Sequence, residues 1–347
     1  MASSIKEFEK QVFLAERILL ISIAILTVLG NTLVLILTWR EKCLHEPSKY
    51  FVAFLAAADL LVGIFVAPLS YYAVLLYDQP ASVLLSVHLC RFMTWIDTFA
   101  LTTSIYTLTV ISFDRYLKIS KPFRYKTLMT TSTTKKLLFI IVFVSAVIAT
   151  YSATPCSGSH GLLATGSGVC SSSDEGEVFE TFLSISAFFL PDTIILVMYG
   201  LIFIVAHRRN KKLVNGGLSQ TMINQKKRTT LRRDLKVIRM LLIVAGVFIL
   251  CWGPWIAWTR LWYYYYDFIN WESDSESYWR RVDILSLVVT TLPLFNSLCN
   301  PIIYACLDQK YTEAFKRLVK KITFRKKSFG RQPQPIQLVP LKNRLHN

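Results

Sequence analysis

The chain has 347 residues, is 53% apolar and carries a formal charge of +17. The apolar fraction alone fits a soluble domain, since about half of a globular chain is apolar. The arrangement excludes that class: the apolar residues fall into blocks of roughly 20 or more, enough to cross a hydrocarbon core of about 30 Å, and a soluble domain has too few faces to bury so many.

Seven membrane spans are predicted in chain order, at about 17–39, 50–76, 88–117, 136–155, 179–206, 235–261 and 282–305. The predicted fold class is therefore an all-α membrane protein, a seven-helix transmembrane bundle. Residues 1–16 form a polar, amphipathic amino-terminal segment, 17–305 the bundle, and 306–347 a tail that opens with a short amphipathic helix at about 308–320. No signal peptide is expected ahead of the first span, which is expected to act as its own insertion signal. No N-x-Ser/Thr sequon occurs, so N-glycosylation is not expected.

Charge sets the orientation. Arg40, Lys42 and Lys49 lie in the first connection, Lys118, Lys121, Arg124, Lys126, Lys135 and Lys136 in the third, and Arg208 to Arg233 crowd the fifth. Acids gather on the other side, at Glu7, Glu9, Glu16, Asp174, Glu175, Glu177, Asp267, Glu272, Asp274 and Glu276. By the positive-inside rule the amino terminus is extracellular and the carboxyl terminus cytosolic. Topology thus accounts for the basic charge without a nucleic-acid partner. The fifth-to-sixth connection, His207 to Leu235 with Gly216-Gly217 at its middle, reads as helical extensions presenting Lys and Arg to the cytosol and to anionic lipid. A transporter would show internal repeats and interrupted helices at mid-membrane; no repeat is seen, and an odd span count argues against one. A membrane enzyme needs a set of His, Asp, Glu or Ser at one depth, but the five His lie near span ends, in loops or in the tail. No catalytic residues and no enzymatic activity are expected.

Of seven cysteines, Cys90, Cys156 and Cys170 lie at or beyond the outer face, where disulfides form. From the residues alone, Cys170 is bonded to Cys90, bonded to Cys156, or free.

Ionisable residues inside a membrane are costly and mark functional sites. Read in order, the spans carry Gly30-Asn31, then Leu55-Ala56-Ala57-Ala58-Asp59, then Asp114-Arg115-Tyr116 followed by Pro122-Phe123. They continue with Pro191 and Tyr199, then Phe248 and Cys251-Trp252-Gly253-Pro254, then Asn300-Pro301-Ile302-Ile303-Tyr304. Each alone is weak. Together, in order and each at its own depth, they resemble the rhodopsin-like (class A) G-protein-coupled receptors over about residues 17–320.

The resemblance implies a signalling receptor of the plasma membrane, with an extracellular ligand, a heterotrimeric G protein, arrestin and receptor kinases as partners. It implies a Cys90–Cys170 disulfide that pins the outer loop over the bundle. It implies no cofactor beyond an allosteric sodium ion, held by oxygens from Asp59, Ser104, Asn296, Ser297 and Asn300; a metal-free polar cluster is the alternative. Asp114, Arg115, Tyr116, Phe123, Tyr199, Asp234 and Tyr304 match the coupling and switch positions, with Asp234 expected to pair with Arg115. Ile105, Pro191 and Phe248 match a packing switch, and Trp252 a toggle. A helix-interior proline removes a hydrogen bond and permits a kink, so Pro191 and Pro254 are candidate hinges. The tail lacks the cysteine that commonly carries a palmitate anchor, leaving Lys320-Lys321 and Arg325-Lys326-Lys327 to serve.

For the ligand, Asp97 lies two turns after Cys90 in the run Trp95 to Ile105, which resembles the biogenic amine receptors. There such a carboxylate pairs with a protonated amine. Thr98, Leu101, Trp252, Trp255 and Thr290 are expected around it, the aromatics suiting a cation, with Ser184 and Ser186 offering hydroxyls. The chain departs from the amine pattern at Thr291 and Leu294 (usually Trp and Tyr), at Trp255-Ile256 (usually paired Phe) and at Ser145 (usually Trp). Leu294 stands where opsins need their retinal lysine, which excludes a photoreceptor. A peptide or other non-amine ligand is the alternative. Asp192 beside Pro191 has no assigned role, and the aromatic, acidic loop 260–281 is expected to cap the bundle, contact with the ligand being the alternative.

Overall fold

The computed structural model describes residues 2–41, 47–77, 85–159, 161–163, 170, 177–215, 222–264, 275–308, 310–318 and 320. Over the inner ends of the fifth and sixth spans, which include Asp234, the description covers the backbone alone. Among the described residues, seven helices are long and apolar enough to cross a membrane, as predicted. No strand occurs among the described residues.

The apolar blocks become helices because a lipid environment leaves backbone N–H and C=O groups no other partner than their own helix. The first span is α1 (Ala2–Arg40). The second runs as α2 (Pro47–Leu61), a π turn (Val62–Val66) and α3 (Ala67–Tyr77). The third is α4 (Val87–Ser120), capped by Ser86, whose hydroxyl accepts from the Leu89 N–H at 3.3 Å. A short helix, α5 (Pro122–Leu128), lies in the inner loop, with proline at its first position. The fourth span, α6 (Thr131–Ser152), is capped by Thr130 on the Thr133 N–H at 3.2 Å. The fifth is α7 (Glu177–Ser184), a π turn (Ile185–Phe189) and α8 (Leu190–Asn215). The sixth is α9 (Met222–Tyr264), the seventh α10 (Glu276–Leu307). A helix at 310–318, here α11, follows.

Three boundaries differ from expectation. The amino-terminal segment is continuous with the first span as one helix from Ala2. α9 begins at Met222, well before Asp234, and runs out to Tyr264, so residues 260–264 of the aromatic loop are helix. The inner loop after Ser120 is helical. Both π turns end two residues before a proline, Pro68 and Pro191. A proline ring crowds the carbonyl four residues back and supplies no N–H, and widening the preceding turn accommodates both defects.

α4 is the axis of the bundle. It packs on α2, α6 and α8 and is the most deeply buried span. Three of its hydroxyls return to their own helix: Thr102 donates to the Thr98 carbonyl at 2.6 Å, Thr107 to Thr103 at 2.6 Å and Ser112 to Leu108 at 3.0 Å. That local bonding lets these three polar side chains be buried with their donors met. α10 closes the bundle against α1 and α9. The contact with α1 depends on Gly30, where a Cβ would stand 3.1 Å from the Pro301 ring.

Candidate functional site

The outer site is built around Asp97, which is fully buried on α4. Its Oδ2 accepts a hydrogen bond from the backbone N–H of Leu163 at 2.9 Å. Beside it, the Trp255 indole N–H donates to the Leu162 carbonyl at 3.0 Å. Leu162 and Leu163 are buried in the same apolar core as Leu101, Phe188, Trp252 and Trp255. The outer loop therefore descends to the level of the carboxylate. The Cys90–Cys170 disulfide ties that loop to α4 with a Cα–Cα distance of 5.8 Å, as the resemblance implied, while Cys156 is free and exposed.

The other predicted outer residues divide. Trp252 is buried beneath the site, and its indole nitrogen has no hydrogen-bond partner among the described residues. Leu101 is buried one turn deeper than Asp97 on the same helix. Thr98 turns to the fourth span, its hydroxyl 3.2 Å from that of Ser152. Ser184 donates to the Glu180 carbonyl of its own helix at 3.0 Å and Ser186 to that of Leu183 at 3.4 Å. Thr290 donates to Ser286 at 2.9 Å. The Thr98 hydroxyl is thus engaged with the fourth span, and the serine hydroxyls are satisfied locally.

At mid-membrane, Asp59 is fully buried. Ser104 donates to its Oδ1 and Asn300 to its Oδ2, each at 2.8 Å. Asn31 ties α1 to this set, donating to the Ser297 carbonyl at 3.2 Å and to Thr27 at 3.0 Å. Asn296 and Ser297 are buried nearby on α10. Ser104 and Asn300 are neutral donors and bring no counter-charge to Asp59. An oxygen-rich set around one carboxylate fits a hard monovalent cation, and no cluster of three or more His, Cys, Asp or Glu occurs among the described residues to suit a softer or multivalent metal.

Beneath the outer site, Phe248 packs between Phe188 and Trp252, with ring centroids at 5.9 and 6.3 Å, and Ile105, next to Ser104 on α4, is buried. At the inner end, Arg115 lies beside Asp114, Nε to Oδ2 3.9 Å. The Tyr125 hydroxyl of α5 donates to Asp114 Oδ1 at 2.9 Å. Tyr199 and Ser112 share a 2.8 Å hydrogen bond between α8 and α4. Tyr304 is buried, and its ring lies 5.9 Å from that of Tyr311. Tyr116 is half-buried and Phe123 almost wholly exposed on α5. The expected Asp234 partner for Arg115 lies outside the described side chains.

Lys49 corrects the sequence reading. It is not a loop cation: it is only 3% exposed on α2, with its ammonium 2.9 Å from Asp308 and over the Tyr311 ring at 4.4 Å. The Tyr311 hydroxyl meets Thr38 at 2.7 Å. The group thereby fastens α11 to α1 and α2. Burial alone would raise the Asp308 carboxyl, but Lys49 and Arg115 outweigh it and hold the carboxyl below its ordinary value. The sequence signal was available in a lysine ten residues before a buried aspartate and an acid four residues after Tyr304. Two substitutions stay unexplained. Ser145 is fully buried with no partner for its hydroxyl among the described residues, and nothing in the structure accounts for Asp192.

Seven spans, a central helix carrying Asp-Arg-Tyr at its inner end and a disulfide-anchored outer loop define a seven-helix receptor. The model of the 7 transmembrane receptor (rhodopsin family) matches residues 30–304, and the chain belongs to that family. It is similar to the Alpha-1A adrenergic receptor of Bos taurus, 29% identical over 329 residues, 86% of this chain and 66% of that protein. It is similar also to Trace amine-associated receptor 5 of Mus musculus, 28% identical over 315 residues (86% and 83%). A third relative is the Probable G-protein coupled receptor No18 of Amphibalanus amphitrite, 29% identical over 355 residues (87% and 89%). The chain spans just under two thirds of the length of the bovine adrenergic relative.

Proposed function

We propose that the chain is a plasma-membrane receptor for a small extracellular cation, a biogenic amine, and that ligand binding activates a heterotrimeric G protein at the inner face. The observation that carries this reading is Asp97: a fully buried carboxylate in the outer part of the central helix, with Trp255 beside it and Trp252 below. A desolvated carboxylate selects a cation, and aromatic faces favour one. Relatives named for adrenergic and trace-amine recognition support the same chemistry.

The amino terminus faces outward on this reading, since basic residues collect at the opposite ends of the spans. Asp59, Ser104, Asn296, Ser297 and Asn300 hold a sodium ion that stabilises the resting arrangement. Arg115 is released from Asp114 and Asp234 on activation, and Phe123, exposed on α5, enters the G protein. Arrestin and receptor kinases act on the same inner surface.

The test is Asp97→Asn. The change keeps size and hydrogen bonding but removes the counter-charge of the ammonium group. Breaking a buried charge pair costs about 3–5 kcal/mol. At about 1.4 kcal/mol per tenfold, amine potency falls by roughly two to three and a half orders of magnitude at matched surface density. Unchanged potency moves the ligand to the peptide or other non-amine class.

A further inference from the structure

The outer loop does more than cover the bundle. Two short stretches of it, Ser157–Ser159 and Gly161–Leu163, are fastened at several depths. The Ser157 hydroxyl donates to the Ser152 carbonyl at 2.7 Å, closing the loop onto the end of α6. The Ser159 hydroxyl donates to Glu180 Oε1 of α7 at 2.6 Å and accepts from the Gly161 N–H at 3.1 Å. Leu163 then places its N–H on Asp97, and Leu162 its carbonyl on Trp255, at 2.9 and 3.0 Å. Both leucine side chains are buried, at 5% and 8% exposure.

Gly161 makes this path possible. Its φ is +97°, a conformation open to glycine and strained for other residues. A Cβ there would overlap the Asp97 carboxylate outright. Only a residue without a side chain lets the loop backbone turn at that point against the acid.

We propose that this segment is an intramolecular occupant of the amine site: a stretch of the receptor's own chain that holds Asp97 through a backbone N–H and must leave before a cationic ligand binds. The segment supplies a donor to the carboxylate, an acceptor to Trp255 and apolar volume to the core, three features a small aromatic amine would otherwise supply or displace. Ligand and loop therefore compete, and the apparent affinity falls by the fraction of receptor in which the segment is displaced. The proposal rests on the amine reading only for the identity of the displacing ligand; the covering of Asp97 stands apart from it.

The experiment reads access to the site directly. In full-length receptor at the cell surface carrying Cys156→Ser, with the Cys90–Cys170 disulfide retained, Leu101→Cys places a reporter thiol one turn below Asp97. Its modification rate by a trimethylammonium-ethyl methanethiosulfonate and by the neutral methyl reagent is measured over the background of the same receptor with Leu101. Gly161→Ala forces the segment away from the carboxylate, and Leu162→Ser with Leu163→Ser weakens its burial by a separate route. Both release variants are expected to speed modification at least about tenfold, and to lower by a similar factor the concentration of 2-phenylethylamine that half-protects the thiol. Fast modification in the parent, or a rate unchanged by both variants, overturns the proposal. If release speeds modification but the cationic reagent's rate relative to the neutral one is unaffected by Asp97→Asn, the segment still covers the site and the amine reading fails instead.

Discussion

Asp59 and Asp97 are both sealed from solvent on neighbouring helices, and they are held by different kinds of partner. Asp59 accepts from two side chains, Ser104 of α4 and Asn300 of α10. Asp97 accepts from a main-chain N–H of the outer loop. A side-chain network constrains residue identity at every member, and each departure leaves a buried donor or acceptor unmet. A backbone N–H is offered by any residue except proline, so the contact itself constrains position 163 little, although the path to it requires glycine at 161. The mid-membrane site is built for permanence; the outer site is closed by something that can be withdrawn.

Lys49 and Asp308 extend the comparison to the inner end, where the partners are opposite charges. Asp308→Asn leaves the Lys49 ammonium buried without its counter-charge, and breaking such a pair costs about 3–5 kcal/mol. The thermal midpoint of detergent-solubilised receptor is therefore expected to fall by several degrees. Lys49→Met combined with Asp308→Asn removes both charges and should recover most of the loss, since an apolar replacement of a buried pair is often close to neutral. A double variant as unstable as Asp308→Asn would mean that the pair holds α11 by geometry and not by charge.

The same contrast explains what could be read from the chain. The seven spans, Asp59 with Asn300, and Arg115 beside Asp114 were legible because hydrophobic period and intramembrane polarity are properties of residue type. The covering of Asp97 was not. The loop reads as small and polar, and nothing in Gly161-Leu162-Leu163 distinguishes a buried plug from a surface turn with two leucines. Lys49 was misplaced because a lysine at a span edge usually belongs to the inner loop, and its partner lies 259 residues away. Nor does the sequence show that the Thr98 hydroxyl meets Ser152 of the fourth span, a contact set by the packing of α4 on α6.

Asp59→Asn sharpens the comparison at mid-membrane. The amide keeps one acceptor and much of the hydrogen bonding, so surface expression should survive. The charge that would hold sodium is gone. Exchanging sodium for choline at constant ionic strength should shift amine affinity severalfold in the parent receptor and leave the variant flat. A parent insensitive to sodium would reduce the cluster to a hydrogen-bonded network.

The smallest effect is expected from pH. Asp308 lies beyond the seventh span, and its carboxyl is held below the ordinary value. A group with a depressed folded value contributes its stability above the unfolded value, about 3.9 for aspartate, and loses it only as the pH falls through the folded one. Between about pH 7 and pH 5 the Lys49–Asp308 contribution should therefore stay constant. The measurement is the difference in thermal midpoint between the native receptor and the Lys49→Met/Asp308→Asn variant, followed across that range. Taking the difference cancels titrations the two proteins share, including those of the outer acids. A difference that stays constant to pH 5 and moves against the native receptor only below about pH 4 fits a carboxylate clamped by a buried ammonium. A difference that already moves between pH 7 and pH 5 would mean that burial outweighs the lysine, and that α11 is fastened to the bundle by the Tyr311–Thr38 hydrogen bond and ring packing instead.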